Sequence, residues 1–108
     1  GATVPAPRRI TAGNAIQSVR SAGPDAVEIT LTTAEFFDLR ATNLELTVGG
    51  ERSTQARHPN GDLHTVQFVL PRAAFDRLAA QEPVRVDYGP GSSVVWDFGH
   101  LDKKALAP

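Results

Sequence analysis

His58, Asp62 and His64 carry the most suggestive spacing in the chain. Two imidazoles and a carboxylate so close in sequence form a ligand set for zinc or another transition metal. Between them, Pro59 presets a type I turn and Gly61 takes a left-handed position, which sets His58 opposite Asp62 and Ala56 opposite His64. The same residues also read as an ordinary turn with an exposed His58 and a rim His64. His100 lies far off in sequence. Asp25, Asp87, Asp97 and Asp102 are oxygen donors from which a calcium site at a sandwich end could be built, though no ligand loop frames them.

Trp96 and Tyr88 are the other residues with a sharp alternative. Exposed, their rings would be platforms for sugar rings, as in a carbohydrate-binding module. Trp96 is in phase with Val94 and Phe98, however, so burying it buries the strand's whole apolar set, and the core reading is preferred. Val95 and Val69 point outward as a modest apolar patch.

Catalytic chemistry finds little support. Ser92-Ser93 lies in a Gly-rich turn without a Gly-x-Ser-x-Gly elbow. Gly89-Pro90-Gly91 does not precede a helix, so it is a hairpin rather than a phosphate cradle. The absence of cysteine excludes disulfides, thiol catalysis and cysteine-ligated zinc. The expectation is no enzyme and no cofactor.

The elements that must position these residues are short runs of alternating apolar and polar residues. Val27, Ile29 and Leu31 alternate with Glu28, Thr30 and Thr32; Leu44, Leu46 and Val48 with Glu45 and Thr47. Val66, Phe68 and Leu70 form a third inward set, followed by Val84, Val86 and Tyr88, then Val94, Trp96 and Phe98, with Gly99 ending the last strand. Ile10–Arg20 holds a first strand of unclear phase, because Ile16 and Val19 fall on opposite faces. Glu51–His58 is a polar strand suited to an edge, where charge discourages sheet-to-sheet pairing.

Thr33–Thr42 admits a helical turn, through a Thr32/Glu35 capping box, or a strand through Phe37 and Leu39. The adopted reading is an irregular connection with Phe36 or Phe37 plugging the core. Pro71–Ala80 carries Phe75 and Leu78 on one face of one or two helical turns. The fold class is therefore all-β: a two-sheet antiparallel β-sandwich of about seven strands with one short helical crossing. Residues 1–9 are expected as a linker or edge segment, 10–102 as the sandwich, and 103–108 as a fraying or linking tail.

These alternating runs and the Tyr88-Gly89-Pro90-Gly91 hairpin into Val94-Val95-Trp96 resemble the broad immunoglobulin-like or fibronectin-III-like superfamily. The antibody-type Cys–Trp–Cys pattern is missing, and Trp96 sits on the last strand rather than the third. The resemblance implies interaction or spacer roles and brings no catalytic residues.

Composition sets the bounds. The 108 residues suit one domain, and 41% are hydrophobic, which is globular rather than disordered. The formal net charge is -1 with both signs interspersed, so no basic stripe suggests nucleic acid. No apolar run approaches the roughly 20 residues of a membrane span. The lack of Met suggests a processed or excised piece. The expected function is a non-catalytic accessory or protein-interaction module of a larger bacterial-type protein, extracellular or periplasmic. Its partner would be a protein or neighbouring domain, engaged by edge-strand complementarity at Glu51–Arg57. The alternatives are carbohydrate binding through Trp96 and Tyr88, and metal binding (zinc or calcium).

Overall fold

The computed structural model of the chain describes residues 6–37 and 43–108. The described strands are β1 (Arg8–Ile10), β2 (Ala15–Ser21), β3 (Ala26–Thr32), β4 (Glu45–Val48), β5 (Glu51–Ser53), β6 (Ala56–Arg57), β7 (Thr65–Pro71), β8 (Gln81–Asp87), β9 (Val94–Asp102) and β10 (Leu106–Ala107), with one helix, α1 (Arg72–Asp76), before β8. They form two five-stranded sheets, in the orders β1-β9-β8-β4-β5 and β10-β2-β3-β7-β6. The architecture is the two-sheet sandwich that the alternation dictates. No helix among the described residues is long and apolar enough to cross a membrane.

Ten described strands stand where about seven are expected. The first expected strand divides into β1, parallel to β9, and β2, antiparallel to β3. The uncertain phase of β2 has a local cause. Its register against β3 shifts between Ile16 and Ser18, so that Ile16 opposes Leu31 and Val19 opposes Ile29. One extra residue at Gln17 thereby returns both apolar side chains to the core side.

The polar run Glu51–His58 is not one strand. β5 pairs with β4 in one sheet and β6 with β7 in the other. Ser53 holds the corner: its Oγ donates to the Val69 carbonyl at 2.5 Å and accepts from the Gln55 N–H at 3.3 Å, and Val69 N–H donates to the Gln55 carbonyl at 3.1 Å. A strand that switches sheets needs such a bend, and a buried hydroxyl satisfies the backbone there.

The ends of β9 and of the chain also differ from expectation. Gly99 does not end β9. Its φ is +77°, and β9 carries one extra residue opposite the Pro83–Arg85 stretch of β8, so Leu101 turns inward after Phe98 and is buried. The C-terminal residues do not fray from the fold. Lys103–Ala105 make a 3-10 turn, and β10 lies parallel to β2. Lys103 Nζ donates to the Asp76 and Leu78 carbonyls at 3.1 and 3.0 Å, satisfying acceptors at the end of α1 that no longer have helical partners.

The core lies between the sheets, built from Val27, Ile29, Leu31, Val66, Phe68 and Leu70 on one side and Leu46, Val48, Val84, Val86, Trp96 and Phe98 on the other. Phe75 and Leu78 close one end beneath α1. Phe37 closes the other, fully buried with its ring 4.8 Å from that of Trp96. Phe36, its neighbour in sequence, is 57% exposed. Leu39 lies outside the described residues.

Phe37→Ala should therefore lower the unfolding free energy by about 3–5 kcal/mol. Phe36→Ala should stay within about 0.5 kcal/mol of the unaltered chain. Urea unfolding of the two variants side by side measures the contrast, and equal losses would contradict this packing.

Candidate functional site

The aspartates that the sequence offers as metal ligands serve the backbone instead. Four of them do the same local work, each accepting a backbone N–H two residues on: Asp62 from His64 at 2.9 Å, Asp87 from Gly89 at 2.8 Å, Asp97 from Gly99 at 2.9 Å and Asp102 from Lys104 at 2.9 Å. A short carboxylate that bonds its own backbone two residues ahead is an Asx turn. These side chains organise turns and strand ends. They are not gathered at one point, and Asp25 is exposed in the β2–β3 turn.

His58, Asp62 and His64 are not arranged as a metal set. The hairpin register differs from the expected one: Ala56 opposes Phe68 and Arg57 opposes Gln67. The loop is wider because Pro59–Gly61 winds into a 3-10 turn, with Asn60 at φ 58°. The shift is by an even number of residues, so Val66, Phe68 and Leu70 keep their inward face. His58 Nδ1 sits 2.7 Å from the Thr65 carbonyl, and His64 Nδ1 sits 3.3 Å from the Thr33 carbonyl. Each ring thus donates Nδ1–H to backbone. Asp62 Oδ2 accepts from the Thr65 hydroxyl at 2.9 Å. Among the described residues no group of three or more His, Cys, Asp or Glu side chains could hold a metal ion.

Trp96 is 2% exposed. It offers no platform face to a sugar ring, and it packs edge-on to the half-buried Tyr88 at 5.4 Å. Its Nε1 is buried without a hydrogen-bond partner. Ser92 is also structural: its hydroxyl donates to the Val94 carbonyl at 2.6 Å and accepts from Tyr88 N–H at 3.2 Å, locking the β8–β9 hairpin.

What the fold does gather is an apolar groove at the end of the sandwich closed by Phe37. Arg8, Ile10, Glu35, Phe36, Tyr88, Val94 and Trp96 line a space of about 390 Å³. Three pieces of chain meet there: β1, residues 33–37 after β3, and the facing ends of β8 and β9. Asn14 ties the first two together. Its Nδ2 donates to the Ile10 and Asp97 carbonyls, both at 2.8 Å, while its Oδ1 accepts from the Thr33 hydroxyl at 2.6 Å. Thr33 and Phe37 are further held by backbone bonds to the 58–64 loop, N–H to the His64 and Leu63 carbonyls at 2.9 and 2.8 Å. Phe36 is left beside the groove, its ring edge-on to His64 at 6.3 Å.

One ion pair borders the groove, and a second lies on the opposite face of β1 and β9. Arg8 donates in a fork to the Glu35 carboxylate at 3.3 and 2.8 Å, and both side chains are largely solvent-exposed. The hydrogen bond holds Glu35 below the usual carboxylate range and raises Arg8. Arg9 pairs with Asp97, whose carboxyl is held low first by the Gly99 N–H and then by Arg9.

Sequence reasoning missed Arg8 and Glu35 as groove residues, since their positions are 27 residues apart. The exposed Phe36 did leave a signal. Consecutive side chains of a non-helical segment diverge, so of two adjacent phenylalanines one tends to face out when the other plugs the core.

The Asp62 carboxyl lies below the ordinary aspartate range because of the His64 backbone N–H first and the Thr65 hydroxyl second. The folded state therefore binds the proton less readily than the unfolded chain. The resulting stabilisation is present at neutral pH and is lost as pH falls from about 3.9 through the depressed value. Asp62→Asn should destabilise the chain at pH 7, and the difference should close at acid pH; a difference independent of pH would refute it. The single tryptophan allows a second check. Trp96 emission should be blue-shifted and protected from acrylamide, whereas red-shifted, quenchable emission would contradict its burial.

Comparison of the chain with protein-family models, with curated proteins and with solved structures finds no match.

Proposed function

We propose that this chain is a non-catalytic protein-interaction module on an immunoglobulin-like sandwich, binding through the Phe36 end. Strand order supports the fold half of the reading. β2-β3-β7-β6 lies against β9-β8-β4, which follows the constant-type order of strands A, B, E and D against G, F and C. On that correspondence the β3–β4 and β8–β9 connections are the B–C and F–G loops, two of the loops that carry recognition in variable domains.

The observation that carries the functional half is Phe36. It is the one large apolar side chain strongly exposed among the described residues. It stands beside an apolar groove, rimmed by the charged Arg8 and Glu35. An aromatic anchor at the centre with a polar rim is the anatomy of a protein contact surface. Edge pairing at Glu51–Arg57 is a weaker route, because that run is divided between two sheets. β7's outer carbonyls are also already taken, Val69 by Ser53 and Thr65 by His58.

Random peptides selected on the immobilised chain should include binders that Phe36→Ala weakens at least about tenfold. Val95→Ala, on the outer face, should leave them unaffected. Binders indifferent to Phe36, or no enrichment at all, would overturn the reading.

A further inference from the structure

We propose that the partner at this end is a second copy of the chain, in a two-fold arrangement that seats each Phe36 in the other copy's groove. This rests on the interaction reading above and names its partner.

The complement of the groove is already on the molecule. Phe36 is an exposed aromatic knob that forms one wall of a recess of about 390 Å³, with Ile10, Tyr88, Val94 and Trp96 as its other apolar lining and Arg8 and Glu35 at its rim. A two-fold contact joins one patch to itself, so a patch holding both knob and recess is self-complementary. The charges obey the same rule. Among the described residues the rim carries one cation, Arg8, and one anion, Glu35, with side chains 62% and 45% exposed. A two-fold axis brings each Arg8 towards the other copy's Glu35, and a carboxylate has lone pairs for more than one guanidinium. A rim of a single sign would repel its own image.

Extension of the sheet through β1 is the less favourable way to join two copies. β1 is three residues long and offers few ladder bonds, and its Arg8 and Arg9 are already held by Glu35 and Asp97. One anchor per copy makes a small interface, so association is weak and depends on concentration.

Sedimentation equilibrium from about 10 µM to about 1 mM tests this. The average mass should rise from 11.5 kDa toward twice that value. Phe36→Glu and Phe36→Ser, at an exposed position, should fold as the original does by circular dichroism and hold the monomer mass throughout. Arg8→Glu and Glu35→Arg should each weaken association by about fivefold alone. Mixed in equal amounts they restore both cross-copy pairs and should recover the original affinity. Such recovery in trans is beyond a pair that acts only within one chain.

A monomer mass across the whole range overturns the proposal. So does association unchanged by both Phe36 variants, or a mixture no tighter than either charge variant alone. If the chain stays monomeric yet retains Phe36-dependent peptides, the second-copy assignment falls and the interaction reading stands. If it is monomeric and retains none, both fall.

Discussion

The contact between Phe37 and Trp96, ring centroids 4.8 Å apart, is the interaction on which the rest of this end depends. It joins the connection leaving β3 to β9 of the opposite sheet. With Phe37 drawn fully inside, the backbone at residues 33–37 is committed, and Phe36 is turned outward beside Arg8 and Tyr88. Burying a phenylalanine contributes about 2–3 kcal/mol, which is large against the net stability of a domain this size. The exposed aromatic is thus a consequence of a core contact.

The same logic applies wherever the described chain passes between sheets. Asn14 braces the passage from β1 to β2, Phe37 that from β3 to β4, Ser53 that from β5 to β6, Phe75 that from β7 to β8, and Lys103 that from β9 to β10. Two are apolar plugs. Three are polar side chains that satisfy backbone carbonyls left without a partner, at strand ends for Asn14 and Ser53 and at the end of α1 for Lys103. Each buried carbonyl needs a partner, and at a sheet corner no neighbouring strand can supply one. The edge strands are correspondingly short, so side chains such as Ser53 and His58 complete the ladder where β6 stops.

The aspartates show how polar groups that look like ligands are spent on architecture. Asp62, Asp87, Asp97 and Asp102 each close a turn through the amide two residues ahead. Among the described residues, Phe36 and the groove beside it are covered neither by the ladders nor by the Asx turns, and the proposed contact surface lies there.

The alternation of Val, Ile, Leu and Phe determined the all-β sandwich by itself. A period of two buries one face of each strand, and Gly, Pro and Asn break the runs where turns must fall. The inward faces of β3, β4, β7, β8 and the first half of β9 follow from that alternation alone, as does the short helix at Phe75. Other features depend on residues distant in sequence, and local pattern cannot show them. The bulges at Gln17 and Gly99 exist because facing strands set the register. The split of Glu51–Arg57 exists because both sheets need an edge. The tail docks because α1 leaves carbonyls for Lys103. The groove belongs to this second class. Pairing of β1, β9 and β8 within one sheet brings Arg8, Trp96 and Tyr88 together from both ends of the chain, and packing the other sheet on it adds Glu35 and Phe36.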